Sequence, residues 1–349
     1  MKIRLNKIAS STRNIGLHDE VVLGETIPAV AGTVLAVRVL DTKSTYNSIE
    51  DCYGRMMPVQ AGDLMAGVVG ARNALRGYAG IVPKKIQKGD TLHILNTGGV
   101  IGSCTSVNPD VGPPCRVEVL GAIMRFPNLG SRVGEPANIF PGSIPLVNEV
   151  HEKLPPILWV AGTCMHAGKT SAACIFIREV TRRGLKVGAA KVTGVALRRD
   201  SLEMRDHGAV EAVTFADVGF PSTAHGNVTD IAASCINYLA DREEYDLLVI
   251  ELGDGIMGTY GVDKILEAPQ FKRCAGALML AANDPVGAWG AVQWFRERDW
   301  EPELITGPAT DNAAGADAIT KLTNVAAANA RTEPDKLTDT LLASLKELL

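Results

Sequence analysis

Short apolar runs separated by glycine turns dominate the first third of the chain. Residues 33–40, 62–69, 89–95 and 115–123 each read as a strand. Few helical periods intervene, which predicts a small barrel or sandwich over residues 1–135. One helix is expected near 48–57. His93 reads as a packed strand residue. The stretch Asn96-Thr97-Gly98-Gly99-Val100-Ile101-Gly102 reads as a hairpin or loop, because the helix that a dinucleotide site requires does not follow it. Pro136, Pro141, Pro145, Pro155 and Pro156 then mark residues 136–156 as an irregular connector.

From Ile157 the pattern changes. Near-continuous apolar runs at 185–192, 245–251, 276–282 and 303–307 follow the run that starts at Ile157. Strands of this kind are covered on both faces. Helical periods fall between them at 170–183, 229–241, 287–298 and 312–328. The alternation predicts an α/β domain over 157–349, a parallel sheet flanked by helices. The chain ends in a segment, 334–349, in which Leu337, Leu341, Leu342, Leu345, Leu348 and Leu349 mark one helical stripe.

Composition narrows the class. The chain has 349 residues, enough for about two domains. Apolar residues make up 46 % and charged residues 21 %, and the net charge is −4. With no basic field and no long uncharged apolar run, neither nucleic acid nor membrane is an expected partner. The N-terminus lacks the apolar core of a signal peptide. Cysteines 52, 104, 115, 164, 174, 235 and 274 form no Cys-x-x-Cys pair. Free thiols in a cytoplasmic protein are therefore expected. A small-molecule substrate and a second copy of the chain are the expected partners.

One segment carries chemistry. Residues 157–170 read Ile-Leu-Trp-Val-Ala-Gly-Thr-Cys-Met-His-Ala-Gly-Lys-Thr, and a helical period follows at once. A strand, a glycine loop and a helix N-terminus in that order form a phosphate cradle. Five residues separate Gly162 from Gly168, where four are usual. Gly162, Thr163, His166, Ala167, Gly168, Lys169, Thr170 and Ser171 are the candidate phosphate-binding residues. Lys169 would reach the terminal phosphates, and Thr170 would offer its hydroxyl to Mg²⁺.

Ligands of an open α/β sheet bind beyond the carboxyl ends of its strands. Lys191, Glu251, Asn283 and the 306–312 loop close the later apolar runs. Glu251 directly follows apolar residues and needs a cation there. It is a candidate metal or water-orienting carboxylate, and Asp200 or Asp206 a further metal residue. Lys191 is a candidate for neutralising charge on a moving phosphoryl group. Asn283 and the 306–312 loop are expected near a base or ribose.

The segment 162–170 resembles the phosphate loop of the P-loop NTPases grouped as dethiobiotin synthetase and the cobyrinic acid amide synthases. Lys191 falls where that group has a second lysine, Asp200 or Asp206 near its magnesium aspartate, and Glu251-Leu252-Gly253-Asp254-Gly255 is similar to its Glu-Gly-Ala-Gly-Gly segment. Leu252 and Val192 depart from it. The runs 193–213 and 305–308 also resemble a P-loop family that includes D-glutamate N-acetyltransferases. The resemblance covers about 160–310. It implies an ATP- and Mg²⁺-dependent ligase or transferase that activates a small carboxylate or amine, with Lys169, Lys191 and Glu251 as catalytic residues. Two alternatives stand beside it: a nucleotide-gated assembly factor for a metal or cofactor, and an N-acyltransferase acting on an amino acid.

Overall fold

In the strand Val34–Val39, successive side chains enter two different apolar clusters. Leu35, Val37 and Val39 pack with Met65, Ile101, Val117 and Val119, whereas Val34 and Ala36 pack with Ala66, Val68 and Ile123. A two-residue period that is apolar on both faces suits a barrel wall with a covered outer side. The computed structural model describes residues 1–349 except Arg76, Leu129, Ser131, Arg132, Pro141, Ala275, Glu347 and Leu349. Pro141 of the proline-dense stretch and Leu349 of the leucine stripe thus lie outside the described residues.

The wall closes. Arg116–Arg125 pairs with Val34–Val39, which pairs with Leu64–Val69, which pairs with Val100–Val107. Thr91–Ile94 then joins Val100–Val107 back to Arg116–Arg125. All of these junctions are antiparallel except the one between Leu64–Val69 and Val100–Val107. Closure decides between barrel and sandwich in favour of the barrel, and it removes the open edges that such short strands would otherwise expose.

The helix expected near 48–57 does not form. Ser48–Glu50 and Met56–Pro58 pair as an antiparallel hairpin. Asp51 causes the turn: its Oδ1 accepts the N–H groups of Tyr53 and Arg55, and Gly54 takes a left-handed φ of 89°. An aspartate bonded to the backbone two and four residues on competes with helix hydrogen bonds.

By contacts the chain divides into two units. The first holds Met1–Pro145 together with Val195–Arg199 and Phe215–Gly226. The returning segments are fixed to it by specific bonds. Glu50, fully buried, accepts the backbone N–H groups of Arg198 and Arg199, each at 2.7 Å. Asn96 Nδ2 donates to the Ala196 carbonyl at 2.7 Å, and Arg13 pairs with Asp217.

The second unit holds Leu146–Gly194, Asp200–Thr214 and Asn227–Leu349. Its strands are β1 (Ile157–Gly162), β2 (Val187–Lys191), β3 (Glu211–Thr214), β4 (Leu247–Glu251), β5 (Gly276–Ala281), β6 (Leu304–Thr306) and β7 (Ala326–Ala327). All pair in parallel, in the order β3-β2-β4-β1-β5-β6-β7. The helices are α1 (Lys169–Arg182), α2 (Arg199–Asp206), α3 (Val228–Arg242), α4 (Val262–Glu267), α5 (Pro269–Lys272), α6 (Pro285–Arg296), α7 (Ala313–Thr323) and α8 (Pro334–Leu345). This is the α/β sheet with flanking helices that the alternation predicts. Helix α7 stops at Thr323, short of the expected 328, because Asn324 adopts a left-handed cap at φ 60°. Leu337, Leu341 and Leu345 of α8 are fully buried in one cluster with Phe176, Ile177 and Val180 of α1 and Leu158 and Val160 of β1. Among the described residues no helix is long and apolar enough to cross a membrane.

Replacing Glu50 with alanine strands two backbone N–H groups. Glu50→Ala should lower the unfolding free energy by about 2–3 kcal/mol, since bonds to charged groups are the stronger class. Urea unfolding measures this, and an unchanged midpoint would show that the carboxylate does not hold the returning segment.

Candidate functional site

Strand β1 lies between β4 and β5, although the chain leaves it for β2. That reversal opens a crevice at the carboxyl end of β1, where an α/β sheet binds ligands. The chain enters the crevice at Gly162, and a side chain there has no room: a Cβ would sit 2.9 Å from Cγ and Cδ of Lys169 and 3.1 Å from its Nζ. The first glycine of the loop therefore exists to let the lysine stem lie across it.

The loop then turns back on itself. His166 is exposed with φ 61°, and Gly168 is left-handed at φ 92° as the N-cap of α1. Thr163 N–H is anchored on the Ala281 carbonyl of β5 at 2.9 Å, and Ala167 is fully buried. Among the described residues no acceptor is found for the N–H groups of Cys164 to Gly168. Open amides ahead of a helix N-terminus form an anion-binding concavity. Asn283 braces this loop by donating Nδ2 to Cys164 Sγ at 2.8 Å, and Ser171 stands exposed on the first turn of α1.

Two ammonium groups and three carboxylates meet at the foot of the loop. Lys169 is 6 % exposed and donates to the Cys164 carbonyl at 2.8 Å. Burial lowers its pKa to about 8; the negative charge of Glu251 opposes that shift and the positive charge of Lys191 adds to it. Glu251, 1 % exposed, accepts the Thr170 hydroxyl at 2.9 Å and Lys191 Nζ at 3.1 Å, both on Oε1. Lys191 also pairs with Asp200 Oδ2 at 2.5 Å. Burial alone would depress Lys191, but the charges of Asp200 and then Glu251 raise it above its ordinary value, so it stays an ammonium.

Sequence reading brought Lys169, Thr170, Lys191, Asp200 and Glu251 together, and the structure does so. It missed Asp254. This residue follows β4 in the Gly253-Asp254-Gly255 turn, with a left-handed φ of 71°. Burial raises its carboxyl above the ordinary value, against the pull of Lys169 and Lys191. Its left-handed backbone, a conformation suited to glycine, shows only in the structure.

The group fits a divalent cation. Glu251 Oε2 and Asp254 Oδ1 are buried and have no hydrogen-bond partner. Bare carboxylate oxygens, one of them on the residue that accepts the Thr170 hydroxyl, are hard donors of the kind Mg²⁺ takes. Asp200 has Oδ2 committed to Lys191. Among the described residues no cluster of three or more histidine, cysteine or acidic side chains forms a closed protein-only metal site. Mg²⁺ held by few protein ligands needs the oxygens of a bound phosphate as well.

A cavity of about 270 Å³ opens beside the loop. Gly168, Ser171 and Ala172 form one wall, Thr306, Gly307, Pro308 and Asp311 a second, and Asn329, Ala330 and Arg331 a third. Residues 306, 307, 308 and 311 of the 306–312 loop thus line a cavity beside Gly168 and Ser171, whereas Asn283 is not among the residues lining it. Gly307 is left-handed at φ 95°, and a Cβ there would lie 2.4 Å from the Ala167 carbonyl. This close approach seats the cavity against the phosphate loop.

No family profile matches the chain, and no curated protein matches it. Solved structures that resemble it include the signal recognition particle 54 kDa protein of Aeropyrum pernix K1 in complex with GDP, at 17 % identity and a TM-score of 0.37 over 57 % of this chain and 50 % of that one. A ParA family ATPase of Chlorobium tepidum TLS matches at 11 % identity and a TM-score of 0.33, over 55 % of this chain and 92 % of that one. The hydrogenase maturation factor HypB of Archaeoglobus fulgidus matches at 17 % identity and a TM-score of 0.36, over 55 % and 90 %. The matched part of this chain spans half the length of the first of these.

The depressed Lys169 makes anion binding a proton-coupled event. A phosphate beside it favours the charged amine, so binding above the pKa of about 8 must take up a proton. Calorimetric titration of a nucleoside diphosphate, whose phosphates are fully ionised near pH 9 (about one unit above that pKa), should give heats that vary with the ionisation enthalpy of the buffer. The variation should vanish in Lys169→Arg. Buffer-independent heats in the parent protein would place the ammonium away from the anion.

Proposed function

We propose that the chain is a Mg²⁺-dependent enzyme that binds a nucleoside triphosphate and moves its terminal phosphoryl group onto a small carboxylate or amine, as in the ligase-type synthetases whose phosphate loop it resembles. The observation that carries this reading is the run of open amides from Cys164 to Gly168 curled around a buried Lys169 ammonium. An ordinary glycine turn before a helix would leave its lysine in water.

Each residue has a part. The amides of 164–168 and the N-terminus of α1 receive phosphate oxygens. Lys169 exchanges the Cys164 carbonyl for those oxygens and gains a better acceptor. Thr170, Glu251 and Asp254 would hold Mg²⁺, which supplies positive charge against the phosphate oxygens when bound. Lys191 is fixed between Asp200 and Glu251, so its charge is oriented before the reaction begins. It offsets the negative charge that spreads over the phosphoryl group in transfer. The cavity lined by the 306–311 loop and Asn329–Arg331 accepts the base end of the nucleotide.

Lys169→Ala should weaken nucleotide binding at least about tenfold while leaving the unfolding transition near that of the parent. Calorimetry with a non-hydrolysable triphosphate and thermal denaturation measure the two effects. Unchanged affinity would overturn the site. Glu251→Gln should reduce phosphoryl transfer about 100-fold and shift the Mg²⁺ concentration for half-maximal rate upward, with a smaller loss in nucleotide affinity. An unaltered Mg²⁺ requirement in that variant would remove Glu251 from the metal site.

A further inference from the structure

One end of the N-terminal barrel gathers positive charge without a counter-ion. Arg72 is 8 % exposed, and both acceptors of its Nη1 are neutral: the Tyr46 hydroxyl at 2.6 Å and the Leu95 carbonyl. Among the described residues no carboxylate lies within ion-pair distance of Arg72, and no acceptor is found for its Nε or Nη2. Lys43, half-buried, is in a similar state. Its Nζ donates to the Tyr78 hydroxyl at 2.7 Å, to the Val111 carbonyl at 3.2 Å and to the Pro113 carbonyl, none of them charged. Aromatic rings join the two cations. Lys43 lies 5.4 Å from the centre of the Tyr78 ring and Arg72 5.6 Å from that of Tyr46, and the two rings meet edge to face at 5.3 Å. Cation–π attraction offsets part of the desolvation of each charge, but it brings no anion. A buried cation left unpaired is costly.

Tyr46 is the hinge of this group. It holds a left-handed φ of 51°, which a tyrosine keeps only where its surroundings fix it. Its oxygen accepts the Arg72 N–H, so its own proton points elsewhere, and among the described residues no acceptor is found for that proton. Tyr46, Lys43, Asn47 and Ser48, all half-buried, line a cavity of about 10 Å³. That is about one probe sphere, room for a single oxygen atom. Asp41 also lines it, but its Oδ1 and Oδ2 accept Arg116 Nη2 and the Arg116 N–H, at 2.8 and 2.9 Å. We propose that this end of the barrel binds a small organic carboxylate, held by the Tyr46 hydroxyl and the Arg72 guanidinium. One carboxylate oxygen fills the cavity and accepts the Tyr46 proton, and Arg72 supplies the opposite charge with N–H groups to spare. A phosphate brings three oxygens where there is room for one. A Cβ at Gly77 would lie 2.9 Å from Arg72 Nη2, so the glycine keeps that nitrogen uncrowded. No residue of the phosphate loop takes part, and the site stands apart from the nucleotide reading.

The test is thermal unfolding of the full chain, titrated with succinate or with inorganic phosphate at an ionic strength held constant with sodium chloride. Succinate at about 10 mM should raise the unfolding midpoint by about 2 °C or more, and the rise should saturate. Tyr46→Phe removes the hydroxyl and keeps the ring against Tyr78. It should raise the half-saturating succinate concentration about tenfold, the loss expected for a hydrogen bond to a charged group. Arg72→Gln should abolish the succinate effect, and Tyr46→Phe keeps the test readable if that variant does not fold. Lys169→Ala should leave the succinate effect in place, since the ligand sits on the barrel. The absence of a saturable rise with succinate in the parent overturns the proposal. So does the same half-saturation in Tyr46→Phe as in the parent, because the anion then sits elsewhere. Loss of the effect in Lys169→Ala also overturns it and assigns the anion to the phosphate loop. Tighter saturation by phosphate than by succinate, lost in Tyr46→Phe, overturns the choice of a carboxylate.

Discussion

A single carboxylate buried at the end of a parallel strand organises the second unit of the chain. Glu251 sits at 1 % exposure, a position that no isolated charge tolerates. Its Oε1 draws in a hydroxyl from the helix of the phosphate loop and an ammonium from the neighbouring strand. That ammonium in turn fixes Asp200 at the start of α2. The charges are therefore set by strand register: Lys191 stands beside Glu251 in the β2–β4 ladder. Hydrogen bonds within a low-dielectric site are strong when complete and costly when not. The bare Oε2 of Glu251 keeps the arrangement incomplete.

The same logic separates the two lysines. Lys169 is buried and Lys191 largely so, yet they differ in charge environment. Lys191 has two carboxylates within ion-pair distance and is pushed above its ordinary pKa, whereas Lys169 has a neutral carbonyl for a partner and is pushed down to about 8. One is a permanent charge in a fixed frame. The other is a poorly satisfied charge that a phosphate would satisfy. The phosphate site proposed above would gain from holding these two properties in different side chains.

What the sequence made legible follows from which signals are local. The phosphate loop and five of the seven strands announce themselves because a run of apolar residues, a glycine and a helix period are all read within about ten residues. Glu251 and Lys191 were legible as charges closing such runs. Strand β3 was not, since Glu-Ala-Val-Thr offers only two apolar residues in a row, and strand β7, two residues long, fell inside the helix expected at 312–328. Helix α2 was hidden by its composition, Arg-Asp-Ser-Leu-Glu-Met-Arg-Asp, whose one wholly buried apolar residue is Met204. Asp254 was hidden by its turn, since nothing in Gly-Asp-Gly says which way the carboxylate faces. The partnership of Asp311 with Asn329 and Arg331 joins residues from two different loops, and no period or spacing encodes that. The hairpin at Ser48–Pro58 misled the pattern because Asp51 acts on the backbone rather than through hydrophobicity.

The N-terminal barrel is not a contiguous stretch of chain. Its contact unit reclaims Val195–Arg199 and Phe215–Gly226 from far downstream, and the Glu50 carboxylate depends on amides that lie almost 150 residues away. A gene cut after Pro145 would encode every barrel strand and still leave that acid without its donors. No single break in the chain therefore parts the two units, because the first keeps two segments that the second encloses in sequence.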